Sequence, residues 1–178
     1  MKRGQTPIRR MVYASLFGAA TAVGAYIMIP VPPVPITLQT MIFSISAALL
    51  GGRLGALSQI VYLAIGAIGL PVFAGGKGGL GVLLGPAGGY LIGFVAGAYV
   101  IGKLIEVRKT SGLPWTIFAM GVGALVIYLF GVIQLALVAR LSPVKALMVG
   151  VVPFLIGDGL KIAAAALVVA KLKGKISL

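Results

Sequence analysis

The residues with the clearest chemical potential form one short run, Gly157-Asp158-Gly159-Leu160-Lys161. Asp158 and Lys161 are three positions apart, so they lie on one face of a helix. Both are ionisable within apolar sequence, and such residues in a membrane segment usually face the protein interior or a polar cavity. A carboxylate accepts N–H donors, whereas an ammonium group donates to carbonyl or carboxylate oxygens. The pair is either an internal ion pair that neutralises itself or a polar clamp for a ligand, and we predict the clamp.

Four further residues are candidate contacts for the same ligand. Lys77 is the only charge between Gly69 and Tyr90. It is either a solvated loop lysine or a cation for an anionic ligand group, assisted by the backbone N–H groups of a Gly-rich turn. Thr37 and Gln39 are polar groups that directly follow a Pro-rich stretch. Tyr90 either offers an aromatic wall with a hydroxyl group or packs its own helix. We predict that all four line the site.

The composition argues against most catalytic chemistry. The chain has no Cys and no His, which excludes thiol chemistry and His-based metal or general-base sites. Its two acids, Glu106 and Asp158, are far apart in the sequence, so a carboxylate metal cluster is implausible. We therefore predict that the chain is not an enzyme and has no metal site and no cofactor.

Two glycine-rich patterns resemble nucleotide-binding motifs but lack their context. Gly76, Gly78 and Gly81 satisfy G-x-G-x-x-G, but that motif requires a preceding strand and a helix that opens directly on it. Lys77 is followed by Gly78 rather than by Ser or Thr, so it does not belong to a P-loop. Any ATP hydrolysis linked to this chain must therefore be supplied by another protein.

The elements that must position these residues are apolar spans. The chain of 178 residues is 60% hydrophobic, and long apolar runs with few charges are typical of polytopic membrane proteins. The net charge of +13 does not indicate nucleic-acid binding, because the basic residues lie between hydrophobic spans. We predict an all-α fold in a single integral membrane domain, residues 1–178, that lies in the lipid bilayer. Six transmembrane helices are expected over about residues 11–29, 38–50, 54–70, 86–105, 114–141 and 145–170, the last kinked at Pro153.

Two irregular stretches interrupt these spans. Four prolines between Pro30 and Pro35 forbid a helix there. The stretch from Gly69 to Tyr90 has too many glycines and prolines to hold a helix. In a membrane, irregular backbone is tolerated where it is buried in protein or lines a cavity. We therefore predict an ordered Gly/Pro-rich loop between the third and fourth helices that caps or lines the site.

The distribution of Lys and Arg predicts the orientation in the cell membrane. Three basic residues, Lys77, Arg140 and Lys145, fall on the side of the two irregular stretches. Eleven fall on the side of the two termini: Lys2, Arg3, Arg9, Arg10, Arg53, Lys103, Arg108, Lys109, Lys171, Lys173 and Lys175. Because cytoplasmic segments are enriched in Lys and Arg, both termini are predicted to be cytoplasmic and both irregular stretches to lie outside.

One face of the first span carries small residues at four-residue spacing, namely Ala14, Gly18 and Ala22. Small residues at this spacing allow another helix to approach closely. That helix belongs either to the same chain or to a second membrane protein, and the residues themselves leave both possibilities open.

Four motifs, taken in order along the chain, closely resemble the BioY family. They are Pro35-Ile36-Thr37-Leu38-Gln39-Thr40, Gly69-Leu70-Pro71-Val72-Phe73-Ala74-Gly75-Gly76, Leu84-Gly85-Pro86-Ala87-Gly88-Gly89-Tyr90 and Gly157-Asp158-Gly159-Leu160-Lys161. This family comprises the substrate-binding (S) components of biotin transporters of the energy-coupling-factor type. One departure is Ala87, where many members have Thr, which puts one hydroxyl contact in doubt.

The resemblance implies six membrane helices and capture of biotin, the transported substrate, from outside. It implies coupling to a transmembrane T protein and a pair of cytoplasmic ATPases. It also implies that the Ala14, Gly18 and Ala22 face docks on the T protein, and that Asp158 and Lys161 contact the ligand. Lys77 falls in the family's substrate-covering loop, where the residue type varies.

The candidate residues suit the chemistry of biotin. Asp158 can accept a ureido N–H group, and Lys161 can donate to the ureido oxygen. Lys77 or loop N–H groups can meet the carboxylate. Phe73 and Tyr90 can form walls for the rings, in a mostly apolar pocket with a few placed polar groups.

The main alternative function is a stand-alone secondary carrier or channel for another small solute. Secondary transporters usually show inverted repeats, and residues 1–89 and 90–178 show no convincing similarity to each other. A membrane-embedded enzyme is the third possibility, and the absence of His, Cys and paired acids argues against it.

Overall fold

Helices make up most of the computed structural model, which describes residues 7–108 and 112–172. The elements, in chain order, are α1 (Pro7–Tyr26), β1 (Met28–Ile29), β2 (Ile36–Thr37), α2 (Gln39–Leu50), α3 (Gly52–Ala67), α4 (Leu80–Leu84), α5 (Gly88–Val107), α6 (Leu113–Ala139), α7 (Pro143–Gly150), a 3-10 turn (Val152–Phe154) and α8 (Leu155–Leu172). The two short strands pair antiparallel, with Met28 opposite Thr37. This ribbon brackets the Pro-rich stretch, which is not helical, as predicted.

Three helical regions are long and apolar enough to cross a membrane, by length and composition. They are Gly88–Val107, Leu113–Ala139 and Pro143–Leu172, and Gln39–Leu50 is a shorter apolar helix. Large apolar side chains also cover the outside, for example Leu125, Leu129, Ile133 and Leu137 along α6. An apolar surface of this extent matches lipid rather than water. These features are those of a multi-pass membrane protein.

The six predicted spans each contain a helix, but the prediction that the loop after Gly69 holds no helix is wrong. Residues Leu80–Leu84 form α4, whereas α5 begins at Gly88, close to the predicted start of the fourth span near residue 86. Between Gly79 and Gly85, four of the five residues carry apolar side chains. These side chains are sufficient for about one helical turn, which packs against α5.

The predicted kink at Pro153 is present as a break between two helices. Helix α7 ends at Gly150, the 3-10 turn contains Pro153, and α8 begins at Leu155. Proline lacks an N–H donor and clashes with the preceding turn, so a continuous α-helix cannot pass through it. The break makes Asp158 part of the first turn of α8.

Helix packing places α2 at the centre. Helix α2 contacts α1, α3, α5, α6 and α8, while α5 and α6 form the most extensive helix pair. Gly89, Gly93 and Gly97 lie on the face of α5 that meets α6, where an added Cβ would collide with or crowd the α6 backbone. The central position of α2 brings its first residues, Gln39 and Thr40, into contact with groups from distant parts of the chain.

Candidate ligand-binding cavity

A cavity of about 380 Å³ lies where the start of α2 meets α5, α6, α8 and the α3–α5 connection, residues 68–87. This volume is in the range of small-molecule sites, and the wall is mainly apolar with few polar groups, as such sites require. All seven residues predicted to bind ligand line this one cavity: Thr37, Gln39, Phe73, Lys77, Tyr90, Asp158 and Lys161. Their contact with a ligand stays a prediction.

The polar end of the cavity is an ion pair with three further partners. Lys161 Nζ lies 2.5 Å from Asp158 Oδ1 and donates to Thr40 Oγ1 at 2.8 Å and to the carbonyl oxygen of Thr37 at 3.0 Å. The Tyr128 hydroxyl donates to Asp158 Oδ2 at 2.5 Å. The Thr40 hydroxyl donates to Asp158 Oδ1 at 3.1 Å. The pair therefore joins α8 to β2, α2 and α6.

The two charges of this network are buried, and removing charges from water costs free energy. The side chains of Lys161 and Asp158 are only 12% and 8% exposed. A buried ion pair is stable only when its geometry is good and further hydrogen bonds satisfy the remaining lone pairs and protons. The pair is neutral as a whole and presents a donor beside an acceptor. Such an arrangement can bind a neutral group that itself carries both N–H and C=O.

Thr37 and Gln39 are engaged with the protein as well as with the cavity. The Thr37 hydroxyl donates to Gln39 Oε1 at 2.9 Å, and Gln39 Nε2 donates to the hydroxyl of Tyr62. Both side chains are buried. The Gln39 amide is therefore held in one orientation at the cavity wall.

The two predicted aromatic walls are fixed from behind. Phe73 is fully buried, and its ring meets the Tyr62 ring edge-on, with centroids 5.5 Å apart. The Tyr90 hydroxyl donates to the carbonyl oxygen of Gly150 at 2.8 Å. The hydroxyl of Tyr90 thus ties α5 to the end of α7, and what it offers the cavity is mainly its ring.

Lys77 reaches the cavity from the α3–α5 connection and is exposed. Its carbonyl oxygen accepts the Phe73 N–H at 2.9 Å, which sets the turn that carries it. Within residues 7–108 and 112–172, Lys77 forms no salt bridge, because Glu106 pairs with Lys103 and Asp158 with Lys161. In the same residues, no cluster of three or more potential metal ligands is present.

Tyr128 and Thr40 were not among the binding residues predicted from the sequence. Both line the cavity and both bond to Asp158. A signal for Tyr128 was present, because its hydroxyl lies in the middle of the very apolar α6 and must find a partner there. The identity of that partner, 30 residues away in the chain, was not readable from the sequence.

The small-residue face of α1 packs inside the chain. Ala14 is 1% exposed, and Gly18 is buried where an added Cβ would lie 2.8 Å from the carbonyl oxygen of Ser58 in α3. Ala22 is half-buried against the core. This packing matches the first of the two possibilities. Docking of a second protein onto the same residues would require α1 to separate from α3.

The fold and the cavity together define a class: a helical multi-pass membrane protein with a small-molecule-sized cavity and a neutral ion pair at its polar end. A sequence profile described as the BioY family matches residues 1–177. The chain belongs to the BioY family.

Relatives and a solved structure agree with this assignment. The biotin transporter BioY of Thermotoga maritima is 44% identical over 166 residues, which cover 93% of this chain and 96% of the relative. The probable biotin transporter BioY of Pyrococcus horikoshii is 40% identical over 161 residues, 90% of this chain and 93% of the relative. A crystal structure of the S-component for biotin from an ECF-type ABC transporter has a TM-score of 0.88 and 27% identity, and covers 96% of this chain and 95% of that one.

Proposed function

We propose that this chain is the biotin-binding S component of an energy-coupling-factor importer. The observation that carries the proposal is the neutral Asp158–Lys161 pair at the end of an apolar cavity of about 380 Å³. Support comes from relatives named as biotin transporters and from a solved S-component for biotin with the same fold. The cavity thus suits a small molecule with one neutral polar end and an apolar body.

The ureido group of biotin is the proposed partner of the ion pair. A ureido group has two N–H donors and a carbonyl acceptor, and Asp158 and Lys161 offer an acceptor and a donor side by side. The rings and the alkyl tail then lie against Phe73 and Tyr90. The carboxylate points toward Lys77, the cation that the α3–α5 connection brings to the cavity.

The proposed topology has six membrane crossings within one domain, residues 1–178. They are α1, α2 together with the irregular stretch before it, α3, α5, α6 and the α7–α8 pair, while α4 is too short to cross. With six crossings both termini lie on one side, and the Lys and Arg count makes that side cytoplasmic. The α3–α5 connection then faces outward and covers the cavity.

The proposed partners are a transmembrane T protein and two cytoplasmic ATPases. The chain has no nucleotide-hydrolysis motif, so the energy for release must come from other proteins. In the proposed cycle, the α3–α5 connection closes over biotin from outside, and docking through α1 then lets ATP-driven movement present the site to the cytoplasm. The docking role of Ala14, Gly18 and Ala22 belongs to this proposal, and it requires α1 to separate from α3, against which Gly18 packs.

Native mass spectrometry of the gently solubilised protein tests the function directly. We expect one retained biotin per chain that exchanges with labelled biotin added in excess. Absence of retained biotin, together with no binding of added biotin, would contradict the proposal. Concentrative biotin uptake in cells that lack the T protein and the ATPases would instead favour a stand-alone carrier.

A further inference from the structure

A run of hydrogen bonds leads from the ion pair to the α3–α5 connection, and its first two bonds are joined through Thr37, by the backbone carbonyl and the side-chain hydroxyl of that residue. Lys161 Nζ donates to the carbonyl oxygen of Thr37 at 3.0 Å, and the Thr37 hydroxyl donates to Gln39 Oε1 at 2.9 Å. Gln39 Nε2 donates to the hydroxyl of Tyr62, which donates to the carbonyl oxygen of Val72 at 3.1 Å. We call this run the Lys161–Val72 chain. It connects α8, β2, α2, α3 and the segment that covers the cavity.

Two of the three inner members of the Lys161–Val72 chain are deeply buried. Gln39 is 4% exposed and Tyr62 is 1% exposed. Each accepts one hydrogen bond and donates the next, so the bonds run in one sense and polarise one another. In an interior of low dielectric, a break in such a chain leaves an unpaired polar group, which is costly. The hydrogen bonds of the Lys161–Val72 chain are therefore expected to change together rather than one at a time.

The far end of the chain lies on the wall of the cavity. Val72 precedes Phe73, whose ring lines the cavity and meets the ring of Tyr62. The Phe73 N–H donates to the carbonyl oxygen of Lys77 at 2.9 Å. A shift of Tyr62 would therefore move the turn that carries both Phe73 and Lys77.

The near end of the Lys161–Val72 chain is one of the three bonds of Lys161 that a ligand oxygen can displace. An ammonium group has three N–H donors, and those of Lys161 have acceptors on Asp158, Thr40 and Thr37. A ligand oxygen must therefore displace one of them. The bond to Thr37 is the longest of the three, at 3.0 Å, and it is also the first bond of the Lys161–Val72 chain.

We propose that Gln39 and Tyr62 are positioning residues that couple the state of Lys161 to the α3–α5 connection. Occupation of the ion pair by a ligand is then transmitted to the segment that covers the same cavity. This inference rests on the proposed function for its ligand, but the coupling itself is a property of the empty protein. It can therefore be tested without biotin.

The test is a set of double-mutant cycles read by hydrogen–deuterium exchange of the amides in residues 70–79, on the full chain in detergent or nanodiscs. Lys161→Met removes the start of the chain. Thr37→Val removes the hydrogen bond from the Thr37 hydroxyl to Gln39 Oε1 without changing the charge. If Lys161→Met does not fold, the test uses Thr37→Val alone. Each is combined with Tyr62→Phe, which removes the last donor but keeps the ring.

Tyr26→Phe is the matched control. The Tyr26 hydroxyl donates to the carbonyl oxygen of Pro71, the residue before Val72, so this substitution also releases the connection but removes none of the hydrogen bonds of the Lys161–Val72 chain. Residues 140–145, at the junction of α6 and α7, provide a reference segment that contains no residue of the Lys161–Val72 chain. A general loosening of the protein would raise exchange in both segments.

We expect Lys161→Met and Thr37→Val each to raise exchange in residues 70–79 by roughly 3- to 30-fold, which lies within the range by which substitutions along a connecting network change coupling. In the Tyr62→Phe background the same substitutions should add less than about 2-fold, whereas in the Tyr26→Phe background they should keep their full effect. Equal effects in the two backgrounds would overturn the proposal. So would no effect in the native background, or an equal rise in residues 140–145.

The outcome is independent of the ligand assignment. If the cycles behave as expected but the unsubstituted protein binds no biotin, the coupling stands and the proposed function fails. If biotin binds but the cycles are additive, the function stands and the coupling fails.

Discussion

At the scale of residues, the polar end of the cavity depends on partners as much as on charges. Asp158 accepts from Lys161, Thr40 and Tyr128, which come from three different helices. Removing one partner of a buried pair leaves a charge without compensation, which destabilises far more than a surface substitution. The same three donors hold the carboxylate in one orientation toward the cavity.

We expect Asp158→Asn and Lys161→Met each to lower biotin affinity by roughly 10- to 100-fold, because a hydrogen bond to a charged group contributes about 1.5–3 kcal/mol. Isothermal titration of the purified protein measures this. Lys145→Met is the control, because Lys145 is exposed and does not line the cavity. The biotin affinity of this variant should equal that of the native protein. Unchanged affinity in both cavity variants would remove the ion pair from the binding site.

The sequence identified Asp158 and Lys161 because charges in apolar sequence are costly and therefore conspicuous. Gln39 was placed near the site for its polarity, but its bond to Tyr62 depends on how α2 and α3 pack. The sequence left two roles open for Tyr90, a ligand contact or helix packing, and in the structure its hydroxyl donates to the carbonyl oxygen of Gly150. The sequence thus predicted which residues lie near the cavity. Their hydrogen-bond partners could not be predicted, because these depend on how the helices pack.

At the scale of elements, the α3–α5 connection is fastened at both ends. Near its beginning, the hydroxyls of Tyr26 and Tyr62 donate hydrogen bonds to the carbonyl oxygens of Pro71 and Val72. Near its other end, Gln134 Nε2 donates to the carbonyl oxygens of Leu83 and Gly85 at 2.7 and 2.8 Å. These bonds hold the C-terminal end of α4 against α6, beside the cavity.

We expect Gln134→Leu to release this end of the connection and to speed biotin dissociation by roughly 5- to 10-fold, since two carbonyl groups lose their donor. Dissociation of labelled biotin into excess unlabelled biotin measures the rate. Ile133→Ala is the control, because Ile133 is the neighbouring residue and faces outward. Equal dissociation rates in the native protein and Gln134→Leu would show that this fastening does not retain the ligand.

The packing of α1 on α3 gives a second test at this scale. At Gly18 an added Cβ would lie 2.8 Å from the carbonyl oxygen of Ser58, so Gly18→Leu should destabilise the protein by about 1–3 kcal/mol. Thermal unfolding in detergent measures the change. Ala19→Leu is the matched control, because Ala19 is exposed on the same helix. A native midpoint for Gly18→Leu would mean that the two helices are not packed in this way.

The positions of the long helices were predictable from apolar length, and the break at Pro153 was predictable from the missing N–H group. Helix α4 and the β1–β2 ribbon were not, because each is only a few residues long and is held by its surroundings. The β1–β2 ribbon is completed by the bond from the Leu38 N–H to the carbonyl oxygen of Ile27. Short elements of this kind depend on tertiary contacts rather than on local preference.

At the scale of the whole molecule, the proposed orientation can be read by single cysteines, since the chain contains none. Lys145 and Arg53 are both exposed and lie at opposite ends of the proposed topology. We expect a membrane-impermeant maleimide to label Lys145→Cys in intact cells and Arg53→Cys only after permeabilisation. The reverse pattern would place the termini outside.

The central claim is that biotin occupies the cavity with its ureido group at the Asp158–Lys161 pair, and an experimental structure of the biotin complex tests it most directly. We expect one biotin per chain, with a ureido N–H on Asp158, the ureido oxygen on Lys161 and the carboxylate toward Lys77. Biotin bound outside this cavity, or bound within it with the ion pair untouched by the ligand, would contradict the claim.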